Sequence, residues 1–230
     1  MISALIFDFD GLILDTESPM RISWTEIYEN AGLRVSDETW AAILGASADP
    51  PEAYALLDEH LGHPVDRATL HERRLRRELE LLADEEVMPG VRELIGAARR
   101  LKLSLAVASS SERAWVYNLL EEHDLCNAFN AIVCSEDVEE TKPSPDLYLA
   151  ALDALQVDAE EAIAFEDSEH GVAAAKAAGL FCVAVPNRIT RCLPFEDADL
   201  VVSSLAERTV HQYISAAEQR ADRKSGGTRL

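Results

Sequence analysis

Positive charge is what this chain has least of. No lysine occurs from Met1 to Arg100, and across 230 residues 21 lysines and arginines face 42 aspartates and glutamates, a formal charge of −21 at pH 7. So acidic a surface repels nucleic acid and anionic membranes, which excludes both as partners. It also repels phosphorylated compounds at long range. A site for them would need local positive charge from a lysine, helix N-termini or a bound cation. Cysteine is scarce as well. Cys126, Cys134, Cys182 and Cys192 form no C-x-x-C pair, which points to reduced, mostly buried thiols rather than disulfides or a zinc site. Long apolar runs are missing too. Nothing approaches transmembrane length, and the first apolar run is short, lacks a basic flank and is interrupted by Asp8 and Asp10. The expectation is a soluble, cytoplasmic protein. With hydrophobic residues at 48%, the chain has material for a core of one α/β domain plus a smaller one.

Strand-like runs occur at Ala4–Phe9, Leu103–Ala108, Ala131–Cys134, Ala162–Phe165, Phe181–Val185 and Leu200–Val202. Helical patterns separate most of them, the signature of a parallel sheet with crossover helices. Pro89-Gly90 opens one helix, Ser144-Pro145 opens another with Ser144 as N-cap, and a third stops at Gly179. Between the first and second strands the pattern changes. Residues 16–86 read as helix after helix, with candidates at Ile22–Asn30, Asp37–Leu44, Ala53–Leu61 and Ala68–Leu82. The fold class expected is therefore α/β: a Rossmann-like parallel sheet core, residues 1–15 and 87–215, with an inserted all-helical cap, residues 16–86. Residues 216–230 are polar and expected to be a frayed tail.

The most informative segment is Phe7-Asp8-Phe9-Asp10-Gly11, at the end of the first strand. Two carboxylates two residues apart, before a glycine that permits a turn, suit a nucleophile and metal ligand with an acid–base group beside it. A polar turn is the alternative. Three further polar clusters sit just past strand ends, the edge where open parallel sheets bind ligands. Ser109-Ser110-Ser111 reads as an anion cradle or as a capping box with Glu112. Lys142-Pro143 reads as a loop lysine that screens an anion or as a solvated surface residue. Glu166-Asp167-Ser168 reads as a Mg²⁺ site or as a helix N-cap.

In this order the four clusters resemble the haloacid dehalogenase (HAD) superfamily phosphatases with a small helical cap. The resemblance runs from Ile2 to about Leu205 and rests on Asp8 to Thr16, Ala108 to Ser111, Lys142 to Asp146 and Phe165 to Gly171. It points to the branch that contains β-phosphoglucomutase and phosphoglycolate phosphatase. It implies a nucleophilic Asp8 that forms an aspartyl-phosphate. Asp10 would be the acid–base, with its backbone carbonyl on the metal. Ser109 and the N–H of Ser110 would bind phosphoryl oxygens, and Lys142 would neutralise charge. Mg²⁺ would be held by Asp8, Asp10, Glu166 and Asp167. The substrate would be a small phosphorylated metabolite, a sugar phosphate or nucleotide, over which the cap closes. The protein is expected as a monomer or weak dimer.

Asp10 also separates reaction classes. A halide leaves unaided, whereas an alkoxide needs a proton, so a carboxyl at this position points to a phosphate ester rather than a C–halogen bond. Two alternatives stay open. A phosphosugar mutase of the β-phosphoglucomutase type would have an arginine at Ala48, a lysine at Glu112 and a histidine at Met20, and this chain has none of them. A non-catalytic regulatory or binding relative would have lost a catalytic group, and none is lost here. A phosphonatase would need a cap lysine, which is absent. In the cap, Arg73, Arg74, Arg76 and Arg77 either contact a second anionic group or pair with neighbouring glutamates on a solvated face. Met20, Trp24 and Trp40 either line a specificity pocket or pack the cap's core.

Overall fold

The structure, a computed structural model, describes residues 1–36, 39–40, 51–83 and 85–226. Six parallel strands, β1 (Ala4–Phe7), β2 (Ser104–Ala108), β3 (Ala131–Val133), β4 (Ala162–Glu166), β5 (Phe181–Ala184) and β6 (Leu200–Val201), form one sheet in the order β3-β2-β1-β4-β5-β6. The helices are α1 (Glu17–Asn30), α2 (Pro51–Leu61), α3 (Arg67–Leu82), α4 (Val91–Arg100), α5 (Arg113–Glu122), α6 (Asp146–Leu155), α7 (Glu169–Ala177) and α8 (Val210–Gly226). None among the described residues is long and apolar enough to cross a membrane.

The chain divides into two compact units, Met1–Ile13 with Val87–Leu230, and Leu14–Glu86. In the first, the sheet is covered on both faces, which is why its strands are continuous apolar runs. One face is built mostly of small residues, Ala4, Ala106, Ala108, Ala162, Ala164, Cys182 and Ala184, with Ile6 the large exception. Their size lets α6 and α7 pack close, through Leu147, Tyr148, Ala151, Val172 and Ala175. Alternation sends the larger residues to the other face. There the rings of Phe7 and Phe165 stack at 5.1 Å, and Tyr213 of α8 meets Phe165 edge-on at 5.1 Å.

The extended elements of the second unit, among its described residues, are the helices α1, α2 and α3, and aromatic rings fill its interior. Trp24 is fully buried against Tyr28 and Tyr54, at 5.6 and 4.9 Å between ring centres, and Trp40 lies 5.4 Å from Tyr28. Three of the four arginines of the island are paired locally. Arg76 pairs with Glu72 at 2.8 Å, and Arg77 pairs with Glu26 at 2.9 Å and Glu80 at 3.1 Å. Arg74 is buried with Glu78, which also accepts from Ser23 Oγ at 3.0 Å. Arg73 is exposed. Most of the expected helix 37–44, and the run 45–49 with Ala48, lie outside the described residues.

Three expectations need correction. Residues 216–226 are not a frayed tail but the end of α8. Ala217 is buried, and the Arg220 guanidinium donates to Leu180 O at 3.2 Å and pairs with Asp199 at 2.9 Å. Helix α6 begins one residue later than expected, with Pro145 at the cap, because the Ser144 hydroxyl donates to Asp146 Oδ1 at 2.9 Å instead of capping. Strand β1 ends at Phe7 rather than Phe9, because Phe9 O turns to accept from Ile13 N at 2.9 Å.

Candidate active site

Strand register brings the four motifs to one edge. Phe7 pairs with Val107 on one side and Phe165 on the other, so Asp8 emerges level with the ends of β2 and β4. Its backbone N–H still donates to Phe165 O at 3.0 Å, which fixes where its side chain starts. Lys142, in the loop before α6 and joined to Pro143 by a cis peptide bond, reaches the same point. Its ammonium bonds Asp8 Oδ1 and stands 2.7 Å from Glu166 Oε1. It is almost fully buried, which excludes the solvated surface reading.

Glu166 is the last residue of β4 and has no solvent exposure. The Tyr148 hydroxyl donates to Glu166 Oε1, and the Tyr148 ring lies 5.4 Å from the Lys142 ammonium. Asp167 accepts from Asn187 Nδ2 at 2.7 Å. Asn187 is itself fixed, because its Oδ1 accepts from the backbone N–H of Ile189 at 2.8 Å and of Thr190 at 3.0 Å. Gly11 closes this corner. Its φ is +76°, and a Cβ there would lie 2.4 Å from Asp167 Oδ2 and 2.6 Å from Asn187 Nδ2. Glycine is required both by the backbone and by the approach.

Asp10 lies under the β2 loop. Ser111 Oγ donates to its Oδ2 at 2.6 Å, Ser109 Oγ to the same oxygen at 3.2 Å, and Trp115 Nε1 to Oδ1 at 2.9 Å. Ser109 is buried and accepts from Ser111 N at 3.0 Å, while Ser110 is exposed beside it. The capping box expected as an alternative at Ser109 does not form, since α5 starts at Arg113 with Glu112 as its cap residue. The N-cap alternative at Ser168 does hold: its hydroxyl accepts from Gly171 N at 3.1 Å, so the same segment caps α7 and presents two carboxylates.

Among the described residues, Asp8, Glu166 and Asp167 each offer an oxygen within 4.8 Å of the others. Three buried carboxylates share one ammonium, which leaves surplus negative charge in a desolvated place. Burial therefore pushes the Asp8 carboxyl up to about 8, against the lowering pull of Lys142, and Glu166 and Asp10 add to the rise. Burial alone would discharge Lys142, but the flanking Asp8 and Glu166 hold its pKa above the ordinary lysine value. An all-oxygen, over-charged donor set fits a hard divalent cation such as Mg²⁺.

The structure thus brings Asp8, Asp10, Ser109, Lys142, Glu166 and Asp167 together at one sheet edge. Trp115, Tyr148, Asn187 and Gly171 were missed as site residues, and Ser111 stood in the cradle cluster without a role of its own. Asn187 had a signal, since it follows β5 as the other clusters follow their strands. Trp115 and Tyr148 had none, because they reach the site from helix faces.

Comparison with known proteins agrees with this geometry. Residues 5–185 match the haloacid dehalogenase-like hydrolase family. YhcW of Bacillus subtilis, which bears a phosphatase name, is 42% identical over 207 residues, covering 90% of this chain and 94% of that protein. The β-phosphoglucomutase of Bacillus subtilis is 28% identical, covering 96% and 98%. The crystal structure of CbbY from Rhodobacter sphaeroides with phosphate superposes with a TM-score of 0.75 at 34% identity, covering 90% of this chain and 96% of that one. A mutant of that protein was solved with xylulose-(1,5)bisphosphate. Fold, strand-end motifs and sequence agree: the chain belongs to the haloacid dehalogenase-like hydrolases.

Proposed function

We propose that this protein is a Mg²⁺-dependent phosphomonoesterase that hydrolyses a small phosphorylated metabolite through an aspartyl-phosphate. The observation that carries the reading is the division of labour between two aspartates of one strand end. Asp8 is buried against an ammonium and two further carboxylates, while Asp10 is held apart by neutral donors. That is the environment of a nucleophile and of an acid–base group, respectively.

The Asp8 carboxylate attacks phosphorus as the ester P–O bond breaks, and Asp10 gives the departing oxygen its proton. Asp10 then takes a proton from the water that attacks the phosphorylated Asp8, releasing phosphate and restoring the carboxylate. Ser109 Oγ and the Ser110 N–H hold phosphoryl oxygens, and Lys142 offsets their charge. Asp8, Glu166, Asp167 and the Asp10 carbonyl would hold the cation. When bound, Mg²⁺ supplies the positive charge that keeps Asp8 anionic and screens the phosphoryl group. The transferred group is stabilised mainly by position and charge, and this constellation provides both.

The xylulose-(1,5)bisphosphate complex of CbbY supports a sugar phosphate as the substrate class. Similarity to a β-phosphoglucomutase keeps a mutase reading in view. Against it stand Met20, which is buried in α1, and Glu112, an exposed acid at the start of α5 where a mutase has a lysine. The test is hydrolysis of an aryl phosphate with Mg²⁺, loss of that activity in EDTA, and no turnover by Asp8→Asn. Full activity in that variant would sink the nucleophile assignment. Formation of glucose 6-phosphate from β-glucose 1-phosphate with a bisphosphate primer would instead establish the mutase. A screen of sugar phosphates and nucleotides identifies the substrate.

A further inference from the structure

Both oxygens of Asp10 are engaged, but by donors of two different kinds. Oδ1 accepts from the indole N–H of Trp115, and Oδ2 accepts from the hydroxyls of Ser111 and Ser109. An indole N–H can only donate, whereas a serine hydroxyl can donate or accept. The two sides of the carboxyl are therefore not equivalent when a proton is added. A proton on Oδ1 would turn that atom into a hydroxyl oxygen, a poorer acceptor, and weaken the indole bond. A proton on Oδ2 leaves Oδ1 as the carbonyl oxygen that the indole needs, and either serine can rotate to accept.

The frame that holds the indole is itself tied down. Trp115 is half-buried in the first turn of α5. Both oxygens of Glu136 accept from Arg113 N at 3.0 Å, Ser111 O accepts from Ser135 N at 3.1 Å, and the Arg113 guanidinium pairs with Asp137. The turn Ser135–Asp137 thus anchors the start of α5, and with it the ring.

We infer that Trp115 is a positioning residue that fixes the acid proton of Asp10 on Oδ2, with Ser111 as its counterpart on that oxygen. This rests on the reading of Asp10 as the acid–base group. In the first step the Oδ2–H bond breaks as the ester oxygen takes the proton, the ester P–O bond breaks, and a bond forms between phosphorus and Asp8. The alcohol leaves neutral. In the second step Oδ2 takes a proton from water, whose oxygen bonds phosphorus as the Asp8–phosphorus linkage breaks. Because Ser109 touches the same Oδ2 and also follows β2 at the anion cradle, the proton is held on the side of the carboxyl where the phosphoryl group is expected.

The test is kcat/KM across phosphate monoesters whose leaving groups range from an alkoxide to a nitrophenolate. A nitrophenolate leaves without a proton, so only the alkyl esters report on the acid. General acid catalysis supplies a factor of roughly a hundred or more, so Trp115→Phe is expected to lose about tenfold on alkyl phosphates and about twofold or less on p-nitrophenyl phosphate. Ser111→Ala is expected to show the same pattern, and Asp10→Asn a stronger one. If Asp10→Asn loses equally on all esters, the acid–base reading of Asp10 fails. If Asp10→Asn discriminates but Trp115→Phe and Ser111→Ala lose equally on all esters, or lose nothing, the positioning role is overturned. Nuclear magnetic resonance of nitrogen-15-labelled tryptophan gives a readout that does not depend on Trp115→Phe folding. The indole proton of Trp115 should move when Asp10 is replaced by alanine, and an unmoved signal also overturns the inference.

Discussion

A Cβ on Gly171 would lie 1.9 Å from Oε2 of Glu166 and 2.1 Å from its Oε1. Glycine here is the space into which the Glu166 carboxylate folds over the start of α7. Alanine would raise helix propensity by about 1 kcal/mol. Against that, it must drive a fully buried carboxylate away from Lys142 and Tyr148, at a cost of about 3–5 kcal/mol for a broken buried pair. Gly171→Ala is therefore expected to lower the melting temperature and to weaken Mg²⁺ binding. Thermal melts and metal titration by calorimetry check both. Wild-type affinity in this variant would remove Glu166 from the cation site.

Asn187 is expected to matter through Asp167 rather than through substrate. It donates to Asp167 Oδ2 at 2.7 Å while two backbone N–H groups hold its own oxygen. Groups that orient a metal ligand typically account for about 10–100-fold in affinity. Asn187→Ala should raise the Mg²⁺ concentration needed for half-maximal activity by that order, with KM for the phosphate ester little changed. Activity measured against Mg²⁺ at saturating substrate decides it, and an unchanged metal requirement counts against the role.

Lys142 is the ammonium that the buried carboxylates share. Lys142→Met keeps most of the stem but leaves Asp8 and Glu166 uncompensated. Removing one partner of a buried pair costs about 3–5 kcal/mol. The variant should be less stable in denaturant titrations and catalytically dead. Because the loss comes from surplus negative charge, part of the stability should return on adding Mg²⁺. A variant as stable as wild type in EDTA would show that the lysine is not needed to balance the site.

The cysteines are expected to differ sharply in reactivity. Cys192 is exposed, whereas Cys134 and Cys182 are buried. Burial pushes the Cys134 thiol up to about 11 and the Cys182 thiol well above its ordinary value. Raising a thiol pKa disfavours the reactive thiolate, so both buried thiols stay protonated at pH 8. Alkylation of the native protein at pH 8, read by mass spectrometry, should label Cys192 first and spare Cys134 and Cys182 until the protein is denatured. Early labelling of Cys182 would contradict the burial described for β5.

The α/β architecture and the edge of the sheet that carries the chemistry were legible in the order of residues alone. Its six apolar runs became six parallel strands with boundaries shifted by one or two residues. The reason is physical: a strand buried on both faces must be apolar along its whole length, and it announces its end when a polar residue appears. Asp8, Ser109 and Glu166 were legible because they stand at those ends. The same pattern contained Asn187 past β5. What the pattern leaves open is which side chains approach from elsewhere. Tyr148 and Trp115 lie on helices, where their spacing is that of ordinary core residues, and only the packing of α6 and the anchoring of α5 point them at Glu166 and Asp10. The polar stretch after 216 looked like a tail because it offers few apolar residues to pack; burial of Ala217 and the bonds of Arg220 decided otherwise. Tertiary structure also decided between readings that sequence left level. Lys142 is a buried counter-ion because Asp8 and Glu166 flank its place, and Ser168 is a cap as well as part of the site because one hydroxyl meets the first turn of α7.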